Sequence, residues 1–134
     1  MEDCVFCKIV KGEVPCSKIW EDEKHLAFLD AFPTTIGQVL IIPKRHIDYF
    51  FNLNESEYSG LLIFSKKIAK AIDASIKPIK TGLVVEGLEV PHVHVKLFPL
   101  TKRGLKACLD PLEPKPSEQE MSKIANKIAK EITS

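Results

Sequence analysis

Residues 90–98 carry the side chains best suited to chemistry. Apolar and polar residues alternate along this segment, which predicts a half-buried β-strand. His92, His94 and Lys96 then line one surface of the strand, and the apolar residues between them face a core. Imidazole near neutral pH can act as a nucleophile, as a general acid or base, or as a metal ligand. Paired histidines also occur as structural residues on wet sheet faces, so the spacing alone leaves both roles open.

The composition is that of an ordinary globular protein with almost no net charge. The 134 residues suffice for one domain with its own core, and 45% of them are hydrophobic and 28% charged. The formal net charge is +1, from 19 basic and 18 acidic residues, so a nucleic-acid polymer is not expected as a partner. No apolar run approaches the roughly 20 residues that span a bilayer, so no membrane association is expected.

The N-terminus and the cysteines together predict a cytoplasmic protein. Residues 1–4 are acidic and contain no apolar stretch, so no signal peptide is visible. In a reducing compartment the four cysteines are expected to be thiols or metal ligands rather than disulfides.

Two helices are predicted from cap residues and apolar spacing. Asp3 is the candidate N-cap of a first helix over residues 4–11, which stops at Gly12. An Asn-x-x-Glu capping box at Asn54 starts a long helix over residues 55–75, whose apolar residues form one stripe.

Short apolar or alternating runs predict the strands. They cover residues 17–21, 24–30, 37–43, 82–86 and 91–98. The run at 37–43 is almost continuously apolar and predicts a buried central strand. Strands, then a helix, then more strands, mostly joined as hairpins, imply an α+β fold with an antiparallel sheet.

After residue 112 the sequence becomes rich in proline and then predicts one more helix. Prolines form a stiff connector there, and Ser117 is the candidate cap of a last helix. The apolar stripe of that helix packs either on the body of the protein or on a partner. We expect a single domain over residues 1–134, with a core over 1–112 and a C-terminal extension helix over 113–134.

Four segments follow one another in an informative order. They read Asp-Cys-Val-Phe-Cys at the start of residues 3–15, Leu-Ala-Phe-Leu-Asp at 26–30, Gly-Gln-Val-Leu-Ile-Ile-Pro-Lys-Arg-His at 37–46 and Pro-His-Val-His-Val-Lys-Leu at 91–97. Together they resemble the opening segment, the ribose-contacting strand, the Gly-His segment and the alternating histidine signature of the histidine-triad nucleotide-binding family. The resemblance covers about residues 3–100 of the chain.

The resemblance implies a fold and a class of activity. The family fold is a five-stranded antiparallel sheet with a long helix, here joined by short N- and C-terminal helices. Two protomers of the family usually form one ten-stranded surface, so a homodimer is expected. Members bind nucleotides, and many hydrolyse or transfer nucleoside monophosphate groups from phosphoramidates or dinucleoside polyphosphates.

The same resemblance assigns a catalytic set of His94, Lys96 and His92. His94 matches the nucleophile, which would form a nucleotidyl-histidine intermediate at the α-phosphate. Lys96 stands where the family has its third histidine. A lysine can neutralise a phosphate oxygen, but it cannot donate and accept a proton as imidazole does. Alternatively, Lys96 points to solvent and the site is degraded.

A nucleotide pocket also follows from the resemblance. Its predicted residues are Val5, Phe6, Ile9, Phe28, Asp30 and Gln38. The apolar members would hold a base, which we expect to be a purine, and Asp30 would accept hydrogen bonds from the ribose. Gln38 replaces a frequent histidine, and Leu88 replaces a frequent glutamine. With Lys96, these departures support an alternative: a catalytically weak or inactive purine-nucleotide-binding module.

A metal site is the last candidate. Cys4, Cys7, His46 and His92 offer two thiolates and two imidazoles, which satisfy a closed tetrahedral zinc shell. The zinc would be structural and would tie the first helix to the sheet. The alternatives are a pair of free thiols, or a small zinc-stabilised interaction protein that binds no nucleotide.

Overall fold

Five strands pair into one antiparallel sheet with helices on both faces. The computed structural model describes residues 3–132, apart from the side chains of Leu105 and Ala107. Its main elements are α1 (Val5–Val10), β1 (Lys18–Glu21), β2 (His25–Leu29), β3 (Val39–Pro43), α2 (Glu55–Ser75), β4 (Lys80–Val84), β5 (Val95–Leu100) and α3 (Glu118–Ala129). The strand order is β1-β2-β3-β5-β4. The predicted α+β fold, with its five strands, long helix and short terminal helices, is confirmed.

Both faces of the sheet are covered at β2 and β3. Every residue of β2 and β3 is buried. Ala27 and Ile41 lie on the back face, which packs against α2 and α3. Phe28 and Leu40 lie on the front face, where Phe6 of α1 packs against them. Because neither face meets solvent, β3 is the nearly continuous apolar run expected of a buried central strand.

Helix α2 spans the predicted residues 55–75. The Asn54 side chain accepts the N–H of Glu57 at 2.8 Å, and the Glu57 carboxylate accepts the N–H of Asn54 at 3.2 Å. Leu61 and Ile68, from the predicted apolar stripe, are fully buried against the sheet. The start and the buried face of this helix are therefore both fixed by local sequence.

The histidine segment departs from the predicted strand. β5 begins at Val95 rather than at residue 91, because Pro91 has no N–H and the N–H groups of His92 and Val93 donate to loop carbonyls at 2.8 and 2.7 Å. His92 is 0% and His94 4% exposed. The prediction that the strand already includes both histidines is wrong: they precede β5, and the Phe6 ring of α1 packs against each of them.

Two further boundaries shift for identifiable reasons. Strand β5 ends at Leu100, so its antiparallel partner β4 starts at Lys80, two residues before the predicted 82. Helix α1 begins at Val5, and its N-cap is Cys4 rather than Asp3. The Cys4 sulfur accepts the N–H of Cys7 at 3.4 Å, which satisfies one free donor of the first turn.

The C-terminal helix packs on its own chain. Ala125 and Ile128 of α3 are buried at 2% and 0% exposure, on the back face beside α2 and β1. Of the two open alternatives for this stripe, packing on the body of the protein is the one observed. Residues 1–2 and 133–134, at the ends of the predicted domain, lie outside the described residues. Within residues 3–132, no helix is both long and apolar enough to cross a membrane.

Candidate functional site

A cleft of about 920 Å³ opens on the front face of the sheet. This volume suits a small-molecule ligand, since such sites measure about 300–1,000 Å³. Eight of the residues predicted for catalysis and nucleotide binding line it, namely Val5, Phe6, Ile9, Phe28, Asp30, Gln38, His94 and Lys96. Phe6 and Phe28 meet edge to face, with ring centroids 5.8 Å apart. The Phe6 ring also lies edge to face with the His94 ring, with centroids 5.0 Å apart, so apolar and ionisable groups adjoin in the cleft.

His94 lines the cleft with one ring nitrogen engaged by the backbone and the other free. Its Nδ1 lies 2.8 Å from the backbone carbonyl of His92, and because a carbonyl only accepts, Nδ1 carries the proton. The lone pair is then on Nε2, for which no described residue offers a hydrogen bond. Burial lowers the pKa of His94, and the charge of Lys96 lowers it further. A neutral imidazole with a free Nε2 lone pair is the form a nucleophile requires.

Lys96 lies on β5, two residues after His94, which directly precedes the strand. It pairs opposite Leu40 of β3 and Val84 of β4, so the sheet fixes its backbone on both sides. Its side chain is half-buried and lines the cleft beside His94. The geometry places the Lys96 ammonium group in the same cleft as the neutral His94 imidazole.

Asp30 is held at the end of β2 by two hydrogen bonds. Its Oδ1 accepts the N–H of Phe32 at 2.9 Å, and its Oδ2 accepts the Gln38 side-chain amide at 2.7 Å. The Asp30 N–H also donates to the Gln38 carbonyl at 3.0 Å, so the two residues are joined through backbone and side chain. A carboxylate fixed in this way presents a defined acceptor surface to the cleft.

Two cysteines and two histidines form a compact cluster behind α1. Cys4 Sγ lies 3.3 Å from His92 Nδ1, and Cys7 Sγ lies 3.3 Å from His46 Nδ1 and 3.6 Å from His92 Nδ1. All four ligand atoms lie within 4.8 Å of one another. In a tetrahedral zinc shell, bonds of about 2.0–2.3 Å put neighbouring ligand atoms about 3.3–3.8 Å apart. The donor set and its spacing therefore fit a metal ion.

His92 belongs to this cluster rather than to the lining of the cleft. Its Nδ1 faces the sulfurs, and its Nε2 lies 2.8 Å from the Pro43 carbonyl, which fixes the tautomer with a proton on Nε2. Burial lowers the pKa of His92 and keeps the ring neutral, as a metal ligand must be. Its backbone carbonyl is the group that orients His94. One residue thus joins the metal cluster to the candidate nucleophile.

The cleft also contains residues that the sequence did not point to. They come from the C-terminal segment and include Lys115, Glu118 and Ser122. The Leu112 N–H donates to the Pro33 carbonyl at 3.0 Å, and Lys115 Nζ lies 4.4 Å from the centroid of the Phe32 ring. These contacts join the segment to the loop after β2. The Ser117 cap predicts where α3 starts, but no local pattern predicts where it docks.

Comparison with known proteins agrees with this arrangement. A family model described as the HIT domain matches residues 11–103. The chain belongs to the HIT family. It is 38% identical over 97 residues to adenosine 5'-monophosphoramidase hnt1 of Schizosaccharomyces pombe, covering 72% of this chain and 73% of the relative.

Solved structures of HIT proteins share the fold over nearly the whole chain. A HIT-like protein from Bartonella henselae superposes with a TM-score of 0.84 and 20% identity, covering 98% of each chain. A zinc-bound histidine triad family protein from Mycobacterium smegmatis gives a TM-score of 0.80 and 25% identity, covering 97% of this chain and 93% of its own. The fold of the HIT family is therefore present here from α1 to α3.

Proposed function

We propose that this HIT protein is a nucleotidyl hydrolase or transferase that works through a covalent nucleotidyl-His94. Its substrates are nucleoside phosphoramidates or dinucleoside polyphosphates, cleaved at the α-phosphate. The observation that carries the proposal is the 2.8 Å bond from His94 Nδ1 to the His92 carbonyl, which leaves Nε2 unengaged in a residue that lines a cleft of nucleotide size. The resemblance to a relative named adenosine 5'-monophosphoramidase supports it.

The proposed reaction has two displacement steps. Nε2 of His94 attacks the α-phosphorus, and the bond to the leaving group breaks with its electron pair. From a phosphoramidate the group leaves as an amine, which takes a proton from solvent, and from a dinucleoside polyphosphate it leaves as a nucleoside phosphate. Water then attacks the same phosphorus, the P–N bond returns its pair to Nε2, and one proton goes to solvent. The products are a nucleoside monophosphate and the released leaving group, and His94 is free for another turnover.

Lys96 has an electrostatic part in this proposal. We propose that it replaces the third histidine of the triad and neutralises the charge on the phosphate oxygens. Its half-buried position on β5, on the same side as His94, supports this role. A lysine ammonium group offers three N–H donors to such oxygens.

The pocket residues have separate roles in substrate binding. Phe6 and Phe28 form the edge-to-face wall against which a flat purine base would lie. Asp30 would accept the ribose hydroxyls, and Gln38 holds Asp30 in place. His92 contributes through its carbonyl and not through direct contact with the phosphate.

A catalytically weak binding module is the second candidate function. Leu88, at a position where the resemblance leads one to expect a polar contact, is 83% exposed, and Lys96 cannot exchange a proton as imidazole does. The variant Lys96→His separates the two candidates. If Lys96 is a working phosphate contact, the variant releases AMP from adenosine 5'-phosphoramidate about tenfold more slowly, the size of one lost charge contact.

Controls make that comparison interpretable. His94→Ala must abolish AMP release, and His25→Gln, which alters a histidine outside the cleft, must leave it intact. Faster release by Lys96→His than by the natural protein would mean that Lys96 is a defect, and would favour the binding module.

We also propose that the metal of the cluster is zinc. When bound, zinc supplies a structural cross-link between α1 and the segments that carry His46 and His92. Cys4 and Cys7 must stay reduced to act as ligands, which supports a cytoplasmic location. Elemental analysis of the purified protein tests this. We expect about one zinc ion per chain in the natural protein and none in Cys7→Ser.

A homodimer through β4 completes the proposal. This strand is at an edge of the sheet, with β5 as its neighbour. Leu83 on it is 48% exposed. Tyr49, which lines a small surface pocket together with Leu83, is 56% exposed. An exposed strand edge with apolar side chains is a template for pairing with another strand. A second copy bound there would give the ten-stranded surface that the resemblance implies.

A further inference from the structure

The Gln38 side chain is buried, and both its amide oxygen and its amide nitrogen make hydrogen bonds. It is 3% exposed. Its Oε1 accepts the N–H of Thr34 at 2.7 Å, the hydroxyl of Thr34 at 2.8 Å and the N–H of Thr35 at 3.3 Å. Its Nε2 donates to Asp30 Oδ2 at 2.7 Å. Three donors around Oε1 rule out a flipped amide, so Nε2 is fixed on the carboxylate.

The turn before Gln38 requires glycine. Gly37 has a φ of +84°, a conformation that favours glycine. A Cβ at Gly37 would lie 3.0 Å from a side-chain carbon of Ile76, so there is little room for another residue. Gly37 therefore allows the backbone conformation that leads into Gln38.

The two bonds to Asp30 leave a specific pair of acceptor sites. Each carboxylate oxygen can accept about two hydrogen bonds, and each already accepts one, from Phe32 and from Gln38. One site on each oxygen remains for the cleft. Two adjacent hydroxyl donors, as in the cis-diol of a ribose, match this pair, whereas a 2'-deoxyribose leaves one site unfilled.

We propose that Gln38 is a positioning residue that fixes the Asp30 carboxylate for a cis-diol, and so makes the cleft select ribonucleotides over 2'-deoxyribonucleotides. The proposal rests on the proposed nucleotide-binding function. Glutamine suits the task because its amide donates to Asp30 while it accepts from the loop. A glutamate here would repel the carboxylate. An amide also does not titrate, so the carboxylate is held in the same way across the neutral pH range.

The test compares AMP with 2'-dAMP by isothermal titration calorimetry on the full chain. Because a hydrogen bond to a charged group is lost, the natural protein should bind AMP about tenfold more tightly than 2'-dAMP. In Gln38→Met, of similar length but without hydrogen-bonding groups, the preference should fall to about twofold or less. That loss should come from weaker AMP binding, with 2'-dAMP affinity changed far less. Where Gln38→Met does not fold, Gln38→Asn draws the amide back by one methylene and should show the same loss.

A matched control removes a similar bond elsewhere. Thr81→Val deletes a 2.8 Å hydrogen bond to the Asp73 carboxylate, and neither residue lines the cleft. It should keep the full tenfold preference. The double variant Asp30→Ala/Gln38→Met should have the same AMP preference over 2'-dAMP as Asp30→Ala alone. Without the carboxylate, Gln38 has nothing left to position, so its loss adds no further effect.

Two results would overturn the proposal in different ways. If the natural protein prefers AMP and Gln38→Met keeps that preference, Gln38 only fills space, and the proposed function stands. If the natural protein binds neither nucleotide at millimolar concentration, the proposed function fails and this proposal fails with it.

Discussion

Metal removal should loosen α1 from the sheet. The helix has six residues, fewer than the 12–15 or so at which an isolated helix becomes even marginally stable. It is held by the packing of Phe6 on the front face and by the cluster behind it. Cys4 and Cys7 approach the two histidines at 3.3 Å, so a bound metal joins α1 to chain positions that lie far away in sequence.

The size of the effect follows from mass action. A ligand present at 100 times its dissociation constant, and bound only by the folded chain, adds about 2.7 kcal/mol to the free energy of unfolding. At this chain length each kcal/mol shifts Tm by about 3–5 °C. Chelation should therefore lower Tm by about 8–13 °C. Cys7→Ser should start at the lower Tm and no longer respond to zinc.

Thermal unfolding with zinc and with a chelator measures this directly. Cys16→Ser is the matched control, because Cys16 is exposed and lies outside the cluster. It should keep the full zinc response. Because the His92 carbonyl orients His94, the zinc-free protein should also lose AMP release. A Tm that is the same with zinc and chelator, in a protein that contains no metal, would refute the cross-link.

Two further predictions concern the surface. Contacts with Lys18 and then Lys44 lower the pKa of Glu21 to about 2, so its stabilisation is complete above its ordinary pKa near 4.5 and is lost as pH falls through 2. Urea unfolding of Glu21→Gln should show a loss below about 1 kcal/mol at pH 7, since the side chain is 41% exposed, and a smaller loss at pH 2; an equal loss at both pH values would contradict this. Leu83→Glu should turn the proposed β4-paired dimer into a monomer by light scattering, whereas an unchanged mass would exclude that interface.

Local sequence predicts α2 and the sheet better than the ends of the strands. The capping box at Asn54 and the apolar stripe define residues 55–75 without any long-range information. The start of β5 depends on where the N–H groups of His92 and Val93 find acceptors, and those acceptors lie in loops. A two-residue alternation cannot reveal that α1 covers the histidine face.

For the candidate site, too, the sequence predicts which residues take part, whereas their contacts depend on the tertiary structure. The resemblance selects the four metal-cluster residues, and the structure brings them together, although Cys4 and His92 are 88 positions apart. Gln38 was predicted to bind the nucleotide, but its engagement by Thr34 and Asp30 is a tertiary fact that no spacing encodes. Docking of the C-terminal segment at the cleft is also tertiary. The division into a core over 1–112 and an extension over 113–134 stays a prediction.

Covalent catalysis by His94 is tested most directly by intact-protein mass after brief incubation with adenosine 5'-phosphoramidate and quenching in denaturant at alkaline pH, where a P–N bond survives. We expect an adduct of one adenosine monophosphate on the natural protein, located on His94 by peptide mapping. We expect no adduct on His94→Ala and an adduct on His25→Gln. AMP release without any adduct, or an adduct that persists in His94→Ala, would contradict the proposed nucleophile.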